Sequence, residues 1–577
     1  MPGLWQVSIA GALCLAAGVW AQDATVPGEV TAPYPTLTNI SIDWEIEGDD
    51  NLNGVVEVRY REAGRRKWKQ GMPLRRIPAG EWAPRTAPHR RKFSWANRHS
   101  GSIFDLRPDT EYEIHLKLTD PDGGSAERTI RVRTRPFPRQ APNARIRRVT
   151  RDEFAAAAAS AEPGDVLLLE PGNYGTFEMT RDGVPGRPIV IRGARDYGVL
   201  FEGISLRGRK YVHIENVTVD GSIDLLGGEW LVVRRCEVNA KYGIVAKRPP
   251  GVKNSYIADN TVRFIMPWKA ERMGHVTPEG VAANRGEGIQ ITGPGNVIAY
   301  NRVSGFRDCI STMEDAGAHE QISIDIYNND LSRCLDDAVE ADFAMGNVRV
   351  MRNRITNAFM GLSSQPGLGG PTYFVRNVMY NIISSPFKLM RGTIGDVILH
   401  NTSVKAGDAI RYSLIGEKGS RALLRNNLLI GGEGNYVYGR YGTGPGYVLD
   451  IRRVDPTFDL DYNGLGAHGV PFHGRYGDAA FQGLSGLRAV TPYRHVVSVD
   501  MSVFANVPFP DPPIPERPAP DLRLVAGSAA LDRGVVIPNV NDSFRGAGPD
   551  LGAYEEGDPL PHYGPRPQGV DEELLVR

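Results

Sequence analysis

The segment NDLSRCLDDAVEAD, residues 329–342, belongs to a series of segments that each open with Asn and continue into short apolar runs. The opening residues are Asn301, Asn329, Asn353, Asn377, Asn401 and Asn426, at intervals of 28, 24, 24, 24 and 25 residues. A repeat of this length predicts a solenoid in which each repeat forms one coil. Leucine-rich repeats have a similar period, but the Leu scaffold that they require is missing from these segments.

Short strands rich in Val and Ile, with Gly and Asn at the turns, favour a parallel β-helix over other solenoids. Earlier coils are predicted at residues 210–221, 229–240 and 252–264, and the last of them leads into an insertion at residues 265–285. We expect the Asn column to be structural, because stacked Asn side chains at a turn bond to backbone groups and to one another.

The N-terminal part of the chain has a different pattern. SIDWEIEG (41–48) and VVEVRYREAG (55–64) alternate polar and apolar residues, as half-buried antiparallel strands do. The stretch LRPDTEY (106–112) matches the tyrosine corner of β-sandwich folds, in which the Tyr hydroxyl bonds back to the turn. With Trp44 on an early strand, the segment resembles a fibronectin type III domain, a class that usually serves as a spacer or a binding module.

An Ala-rich stretch followed by PGDVLLLEPGNY (163–174) resembles the opening cap of secreted right-handed parallel β-helices, where a helix covers the exposed sheet edge. We therefore expect an all-β protein, with a right-handed parallel β-helix preceded by an antiparallel fibronectin type III-like sandwich. The expected parts are a signal peptide (1–21), the sandwich (25–135), a linker (136–145), the β-helix (146–440), its C-terminal loops and cap (441–557) and a loose tail (558–577).

The bulk composition limits the classes of function. Lys plus Arg and Asp plus Glu number 67 each, and this zero formal net charge argues against a nucleic-acid partner. The first 21 residues resemble a secretory signal, although no Lys or Arg precedes the apolar run. No later stretch is long and apolar enough to insert into a membrane. We expect a secreted or periplasmic monomer.

Three cysteines would remain after removal of such a signal, namely Cys236, Cys309 and Cys334. An odd number without a CxxC motif argues against both a disulfide framework and a zinc site. Because Cys309 and Cys334 lie one coil apart, we expect them to stack in the interior as buried thiols.

Strand alternation assigns side chains to the interior or the exterior of each coil. The column Ile310, Val339, Leu362, Phe387 and Ile410 is apolar throughout and is expected to face the core. The residues that follow form an outer column of Gln290, Ser311, Glu340, Ser363, Lys388 and Arg411. Two residues later a second outer column holds Thr292, Met313, Asp342, Gln365, Met390 and Ser413. This face changes from acidic to basic along the coils, as a site for an acidic polymer requires.

The layout resembles that of polysaccharide lyases built on right-handed β-helices, over residues 145–557. In family-nine pectate lyases, calcium is held by an Asp on one coil and an Asp-Asp-x-x-Asp cluster on the next. The resemblance implies calcium ligands at Asp308, Asp336, Asp337, Glu340 and Asp342, with Glu340 standing where the family has its last Asp. It also implies Lys388 as the catalytic base, about two coils further along. The chondroitinase-B and alginate lyase family pairs its base with an Arg one coil later, which implies a catalytic role for Arg411.

The resemblance therefore implies an exported lyase that cleaves a uronic-acid-containing polysaccharide by calcium-assisted β-elimination. Ca²⁺ offsets the repulsion between crowded carboxylates and neutralises the acidic substrate. Lys388 would be a neutral base, with a pKa lowered by burial, by the metal and by Arg411. We expect the substrate to contact Gln290, Ser363, Gln365 and Arg391. Four candidates remain for the general acid: water, Tyr412, His275 and Lys269.

Other functions remain open at this stage. A polygalacturonase-like hydrolase would use Asp308, Asp336 and Asp337 as acid and base, although the GHG and RIK motifs of that family are missing. A uronate epimerase would abstract the same proton, and a surface protein would bind carbohydrate without catalysis. The alternatives without a function are a solvated turn at Asp336 and Asp337 and a surface role for Lys388.

Overall fold

The structure, a computed structural model, describes residues 22–82, 92–194, 198–273, 285–312, 318–412, 419–438 and 441–567. The expected signal peptide, the end of the expected tail (568–577), His275, Met313 and Ser413 lie outside the described residues.

The N-terminal domain is built from antiparallel strands whose apolar faces meet in a core around Trp44, Val58 and Leu116. Its strands are β1 (Val26–Thr31), β2 (Ile40–Glu47), β3 (Val55–Glu62), β4 (Lys69–Ile77), β5 (Gly80–Trp82), β6 (Phe93–Trp95), β7 (Arg98–Ile103), β8 (Glu111–Thr119) and β9 (Ala126–Arg133). The order β1-β2-β7-β4-β3-β8-β9 forms the main sheet, and β5 pairs with β6 as a separate hairpin. The hydroxyl of Tyr112 accepts the backbone N–H of Arg107 at 2.9 Å, as the tyrosine corner predicts. The antiparallel sandwich-like architecture is confirmed, while the fibronectin type III assignment stays a prediction.

The rest of the chain winds into a parallel β-solenoid. Its first part contains α1 (Arg151–Ala159), β10 (Arg145–Val149), β11 (Asp165–Leu169), β12 (Gly172–Asn173), β13 (Thr176–Glu178), β14 (Ile189–Gly193), β15 (Val199–Phe201), β16 (Gly203–Ser205), β17 (Val212–Glu215), β18 (Thr218–Val219), β19 (Ile223–Asp224), β20 (Val232–Arg234), β21 (Glu237–Asn239), β22 (Tyr242–Ala246), β23 (Tyr256–Ala258), β24 (Thr261–Arg263) and a 3₁₀ turn (Ala270–Arg272). The predicted helical cap is present, because Phe154 and Ala157 of α1 pack into the solenoid core beside Phe177 and Phe201.

The middle part carries the candidate site. It contains β25 (Glu287–Ile291), β26 (Val297–Ala299), β27 (Arg302–Ser304), β28 (Asp308–Ser311), a 3₁₀ turn (Ala318–Glu320), β29 (Asp325–Tyr327), β30 (Asp330–Glu340), β31 (Val348–Met351), β32 (Arg354–Ser364), β33 (Thr372–Val375), β34 (Val378–Leu389), β35 (Asp396–Leu399), β36 (Thr402–Val404) and β37 (Arg411–Tyr412).

The C-terminal part closes the solenoid. It contains β38 (Leu423–Arg425), β39 (Leu428–Gly432), β40 (Val437–Tyr438), β41 (Tyr441–Gly442), β42 (Leu449–Ile451), β43 (Gly464–His468), β44 (His473–Tyr476), β45 (Ala479–Gln482), α2 (Gly483–Val490), β46 (Val497–Val499) and a 3₁₀ turn (Met501–Val503). Within the described ranges, the chain from β10 onwards builds one parallel sheet of twelve strands and a second sheet of nineteen strands.

The predicted core column is confirmed. Ile310, Val339, Leu362 and Phe387 are paired in register on successive coils, and each side chain is fully buried. Because alternate residues of a strand face opposite sides, this register presents the intervening side chains to the outside of the solenoid. The all-β fold with a right-handed parallel β-helix is thus the architecture that the repeat predicted.

A column of Asn side chains runs through the interior of the solenoid. Each amide nitrogen donates to the amide oxygen of the next member, along Asn260, Asn301, Asn329, Asn353, Asn377, Asn401, Asn427 and Asn463. The predicted column is confirmed except at its last member, because Asn427 rather than Asn426 continues the ladder. Asn426 lies outside it and donates to the carbonyl oxygen of Val535.

The expectation of free thiols at Cys309 and Cys334 is wrong, because these residues form a disulfide. Cys309 of β28 and Cys334 of β30 lie on neighbouring coils but not opposite each other in the ladder, and their Cα atoms are 5.6 Å apart, within the usual range for a disulfide. The odd cysteine count misled the sequence argument because the third cysteine, Cys236, stays a buried thiol in the core.

The first ten residues of the expected loose tail are also placed differently. Arg566 is buried and donates to both carboxylate oxygens of Asp259, at 2.8 and 2.7 Å, and its guanidinium lies over the ring of Tyr300. This buried ion pair ties residues 558–567 to the solenoid. No helix in the described part of the chain is long and apolar enough to cross a membrane.

The sandwich docks on the solenoid through a buried polar interface. Arg349 of β31 and Asp325 of β29 form an ion pair at 2.5 Å, and neither side chain is exposed. Arg349 also donates to the hydroxyls of Ser41 and Ser102 in the sandwich, at 2.8 and 3.0 Å. Because buried charges require complete pairing, these bonds specify how the two parts fit together.

The Asn ladder yields a prediction for stability. Replacing Asn353 with Ala removes four hydrogen bonds, among them the one that pairs the buried backbone N–H of Asn329. We expect the free energy of unfolding to fall by roughly 3 kcal/mol, since each buried unpaired group costs about 1–3 kcal/mol. Urea titration measures the change.

The control is Asn173→Ala, because Asn173 is exposed on the same solenoid. The free energy of unfolding of Asn173→Ala should stay within about 0.5 kcal/mol of that of the parent protein. Equal stability of the Asn353→Ala variant and the parent would contradict a supporting role for the ladder.

Candidate functional site

A β-bulge in β30 brings two adjacent carboxylates to the same place. Cys334 pairs with Ala358 and Asp337 pairs with Met360, so β30 has one more residue than β32 between these two pairs. A bulge of this kind interrupts the alternation of side chains and redirects them. Asp336 and Asp337 therefore both reach the cluster that Asp308 joins from the preceding coil.

Asp308, Asp336 and Asp337 each offer a carboxylate oxygen, and these three oxygens lie within 4.8 Å of one another. All three residues are buried, and Asp308 Oδ1 accepts the backbone N–H of Asp337 at 2.9 Å. Asp308 Oδ2 and Asp337 Oδ1 are buried without a hydrogen-bond partner among the described residues. A solvated turn without a function, the alternative considered for Asp336 and Asp337, does not fit these buried side chains.

Three more carboxyl groups surround these aspartates. Glu287 lies opposite Asp308 in the ladder between β25 and β28, and Glu340 ends the bulged strand. Asp342 accepts a hydrogen bond from the hydroxyl of Ser363 at 2.5 Å. All three carboxyl-bearing residues are buried, so six acidic groups share one buried region.

Two cations pair with the cluster. Lys388 Nζ donates to Asp337 Oδ2 at 2.7 Å. Arg307 donates to Asp336 Oδ2 from Nε and Nη2, at 3.3 Å each, and its Nε lies 3.5 Å from Asp308 Oδ2. The side chains of Arg307 and Lys388 are 29% and 12% exposed, whereas those of Asp308, Asp336 and Asp337 are at most 6% exposed. The charges that solvent reaches most easily are therefore the positive ones.

Burial raises the pKa of Asp308, Asp337, Glu340 and Glu287, and repulsion from neighbouring carboxylates adds to the effect. Two cations are too few to offset six negative charges. The cluster therefore holds protons or another cation more readily than isolated carboxylates do.

The expectation of a lowered pKa at Lys388 is wrong for this arrangement. Burial alone would lower the pKa of Lys388, but the carboxylates, with Asp337 foremost, outweigh it and hold this pKa well above its usual value. Sequence reasoning underestimated how closely the carboxylates surround the ammonium group.

The first outer column has the predicted register through five coils. Ladder pairing runs from Gln290 through Ser311, Glu340 and Ser363 to Lys388. Lys388 lies two coils beyond Glu340, as predicted, and its long side chain reaches back to Asp337.

The sixth member, Arg411, was expected to present a free charge, but its guanidinium is paired. Its short strand packs beside β34 and pairs with β42. Its guanidinium donates to Asp408 and lies 3.8 Å from Asp450 Oδ2. Both carboxylates are buried, so Arg411 is held as a structural ion-pair partner and not as a clamp for substrate.

Two of the predicted substrate-binding residues, Gln365 of the second outer column and Arg391, form a polar contact. In the amide orientation that pairs donors with acceptors, the amide oxygen of Gln365 accepts from Nε and Nη2 of Arg391 at 3.1 Å each. Gln365 is buried, and Arg391 has a left-handed backbone with φ of 57°, a conformation that Arg352, Arg376 and other turn residues share.

Sequence reasoning missed two parts of the site. Arg307 lies immediately before Asp308 in the sequence, and this adjacency was the signal that its charge belongs to the cluster. An apolar wall of Met273, Phe359, Met360 and Ile383, with Trp268 and Tyr441 packed against it, lies beside the bulged strands. Met273 of this wall and Trp268 beside it come from the insertion at residues 265–285.

Of the three residues proposed as the general acid, the structure describes the side chain of Lys269 alone. Lys269 is exposed next to the 3₁₀ turn at Ala270–Arg272. His275 and the side chain of Tyr412 lie outside the described residues.

Comparison with solved structures finds loose likenesses to enzymes that act on polysaccharides. Pectate lyase Pel9A is 16% identical, with a TM-score of 0.41, over 72% of this chain and 97% of that chain. The family PL6 alginate lyase AlyGC is 12% identical, with a TM-score of 0.29, over 59% of this chain and 50% of that chain. The catalytic domain of a GH87 α-1,3-glucanase is 10% identical, with a TM-score of 0.29, over 84% of this chain and 93% of that chain. No protein-family model and no curated protein matches the chain.

The turn between β34 and β35 is held by a buried network that supports Gln365 and Arg391. The hydroxyl of Thr393 donates to Asp396 Oδ2 at 2.9 Å, lies 2.9 Å from the hydroxyl of Ser364 and accepts the N–H of Gly367 at 2.8 Å. Burial raises the pKa of Asp396 to about 6.

This pKa predicts a pH-dependent stability. A carboxyl group whose folded pKa exceeds its unfolded pKa of about 3.9 stabilises the fold below pH 4, and that contribution is lost as pH rises through about 6. Replacing Asp396 with Asn removes this ionisation. Between pH 4 and pH 8 the stability of Asp396→Asn relative to the parent should therefore rise by about 2–3 kcal/mol, as measured by urea unfolding.

Asp182 is exposed and supplies the matched control. The stability of Asp182→Asn relative to the parent should not drift by this amount over the same pH range. An equally flat profile for Asp396→Asn would contradict an ionising carboxyl group in the turn network.

Proposed function

We propose that this protein is an exported polysaccharide lyase that cleaves a uronic-acid-containing polysaccharide by calcium-assisted β-elimination, with Lys388 as the base. One observation carries the proposal: six buried carboxyl groups surround a lysine, and the two most exposed charges are the cations Arg307 and Lys388. A buried acidic cluster favours a divalent cation, and a cationic rim favours an acidic polymer.

The donor set fits calcium. Ca²⁺ prefers carboxylate and carbonyl oxygens at about 2.3–2.6 Å, so oxygens that share one ion lie no more than about 5 Å apart. Asp308, Asp336 and Asp337 meet that limit, and Asp308 Oδ2 and Asp337 Oδ1 are buried acceptors without a hydrogen bond among the described residues. Glu340 and Asp342 belong to the same buried region and would complete the set. When bound, calcium would neutralise the carboxylate of the substrate and stabilise the charge that develops there.

Lys388 would remove the proton next to the uronate carboxylate. The electrons of that C–H bond form a carbon–carbon double bond as the bond to the glycosidic oxygen breaks, and the departing oxygen takes a proton from water. Lys388 now donates to Asp337, so its proton must be lost before catalysis. The pKa of Lys388 falls when the negative charge around it is offset, which links its basicity to occupancy of the carboxylate cluster.

Arg307 replaces Arg411 as the guanidinium assigned to the substrate. Arg307 is partly exposed beside the cluster, whereas Arg411 is engaged by Asp408 and Asp450. A guanidinium stays charged and binds carboxylates in a fixed geometry, so Arg307 suits recognition of an acidic sugar unit.

The product separates the lyase from a rival hydrolase that would use Asp308, Asp336 and Asp337 as acid and base. The ligand oxygens of these three residues lie within 4.8 Å of one another, a spacing that suits a shared cation. An epimerase and a non-catalytic binding protein are distinguished by the product.

Lys388 provides the decisive test of catalysis. Replacing Lys388 with Ala should lower turnover by at least about a thousandfold, because the base contacts the reacting proton. A screen of uronic-acid polysaccharides, monitored by ultraviolet absorbance of the unsaturated product, measures the effect. New chain ends without that absorbance would indicate a hydrolase, and an altered sugar without new chain ends an epimerase.

Lys253 is a suitable control, because it is also a paired lysine, bonded to Glu320 at 2.8 Å, but belongs to a different turn of the solenoid. Activity of Lys253→Ala should stay within about twofold of the parent. If Lys388→Ala kept full activity on every polymer that the parent cleaves, the lyase mechanism would be wrong.

Calcium should stabilise the fold. At a free concentration one hundred times the Kd, binding adds about 2.7 kcal/mol, so Tm should rise by several degrees relative to a sample in EDTA. Replacing Asp336 with Asn should reduce or abolish the shift. Asp330→Asn should keep it, because Asp330 is bonded to Arg354 at 2.9 Å away from the cluster. Scanning calorimetry measures Tm with calcium and in EDTA, and an unchanged Tm in the parent protein would exclude the calcium site.

A further inference from the structure

The hairpin of β5 and β6 in the N-terminal domain reaches the candidate site. The indole N–H of Trp82 donates to the backbone carbonyl of Arg391 at 2.9 Å, across 309 residues of sequence. Trp82 is buried at this contact. The bond therefore joins the sandwich to the residue whose guanidinium binds Gln365.

The same hairpin packs on the turns that precede Arg391. The rings of Trp82 and Phe93 lie 5.5 and 5.6 Å from Phe343, the residue directly after Asp342. Trp95 packs so closely on Gly369 that an added Cβ would lie 2.8 Å from its Nε1 atom. Three successive turns of the solenoid, following Asp342, Gln365 and Leu389, are thus covered by one element of the sandwich.

This contact lies apart from the polar interface of the main sandwich sheet. There, the buried pair of Arg349 and Asp325 is joined to the hydroxyls of Ser41 and Ser102. The hairpin of β5 and β6 is not part of that sheet. Its apolar contacts with Phe343 and Leu368 contribute to docking, and its bond to the carbonyl of Arg391 is made in addition to them.

We infer that the N-terminal domain is a working part of the site, and that Trp82 is a positioning residue for the binding of an acidic sugar unit by Arg391. Arg391 has a left-handed backbone, as Arg352, Arg376 and other turn residues do, and the Trp82 bond holds its carbonyl in place. Gln365 accepts from two guanidinium nitrogens, and Nη1 of Arg391 is a buried donor without a hydrogen-bond partner in the described part of the chain. The unit that Arg391 binds is the uronate next to the reacting one, an assignment that rests on the proposed function.

The test compares two tryptophans of one hairpin. Trp82→Phe keeps an aromatic ring against Phe343 but removes the N–H that reaches Arg391. Trp95→Phe removes an N–H that bonds to the carbonyl of Pro78 within the sandwich. Both tryptophans are buried, so the two changes carry a similar structural cost.

On the polymer that the parent cleaves, Trp82→Phe should raise KM about five- to tenfold and leave kcat within twofold. Trp95→Phe should leave both constants within error of the parent and lower Tm about as much as Trp82→Phe does. Trp82→Phe combined with Arg391→Ala should raise KM no further than Arg391→Ala alone, because both changes remove the same interaction. An unchanged KM for Trp82→Phe, or an equal rise for Trp95→Phe, overturns the inference.

Hydrogen exchange separates this inference from the proposed function. In Trp82→Phe, amides of residues 390–395 should exchange faster than in the parent, while those of the docking strand β31 should not change. Unaltered exchange at residues 390–395 overturns the positioning role whether or not a polymer is cleaved. Faster exchange in a protein that cleaves no uronate polymer would support the positioning role and refute the lyase.

Discussion

The in-register stacking of the coils is the constraint on which the rest of the molecule depends. The buried Asn ladder fixes each coil against the next, because every amide bonds both the neighbouring side chain and the neighbouring backbone. Stacked coils lie about 4.8 Å apart, so residues separated by one repeat in sequence become neighbours in space. Asp308 meets Asp336 and Asp337 only because that register holds, and the disulfide between Cys309 and Cys334 ties the same two coils together.

Gathering these charges works against stability. Six carboxyl groups in a buried region repel one another, and burial together with this repulsion raises the pKa of four of them, Glu287, Asp308, Asp337 and Glu340. Lys388 and Arg307 relieve part of it from the solvent side. This excess of buried negative charge is the feature on which the proposed binding of a cation and an anionic polymer rests.

The register of the outer column and of the core column could be predicted from the sequence, for a physical reason. Period-two alternation and the repeat interval together determine the column from Gln290 to Lys388, so five of its members and the core column beneath could be assigned without coordinates. Arg411 escaped that logic because its charge is satisfied by Asp408, three residues away, and by Asp450, which belongs to a later coil. The pKa of Lys388 could not be anticipated, since it depends on the summed field of side chains from several coils. The bond from Trp82 to Arg391 has no sequence signal, because no repeat relates the two residues.

The distance in sequence between the sandwich and its partners has a consequence for assembly. The hairpin of β5 and β6 is made early in synthesis, yet its partner Arg391 emerges about three hundred residues later. Contacts of such long sequence separation form late, after the coils between them have stacked. The turn at Arg391 therefore gains its bond to Trp82 only when the first-made domain docks on the nearly finished solenoid, so an incompletely wound chain would lack this contact.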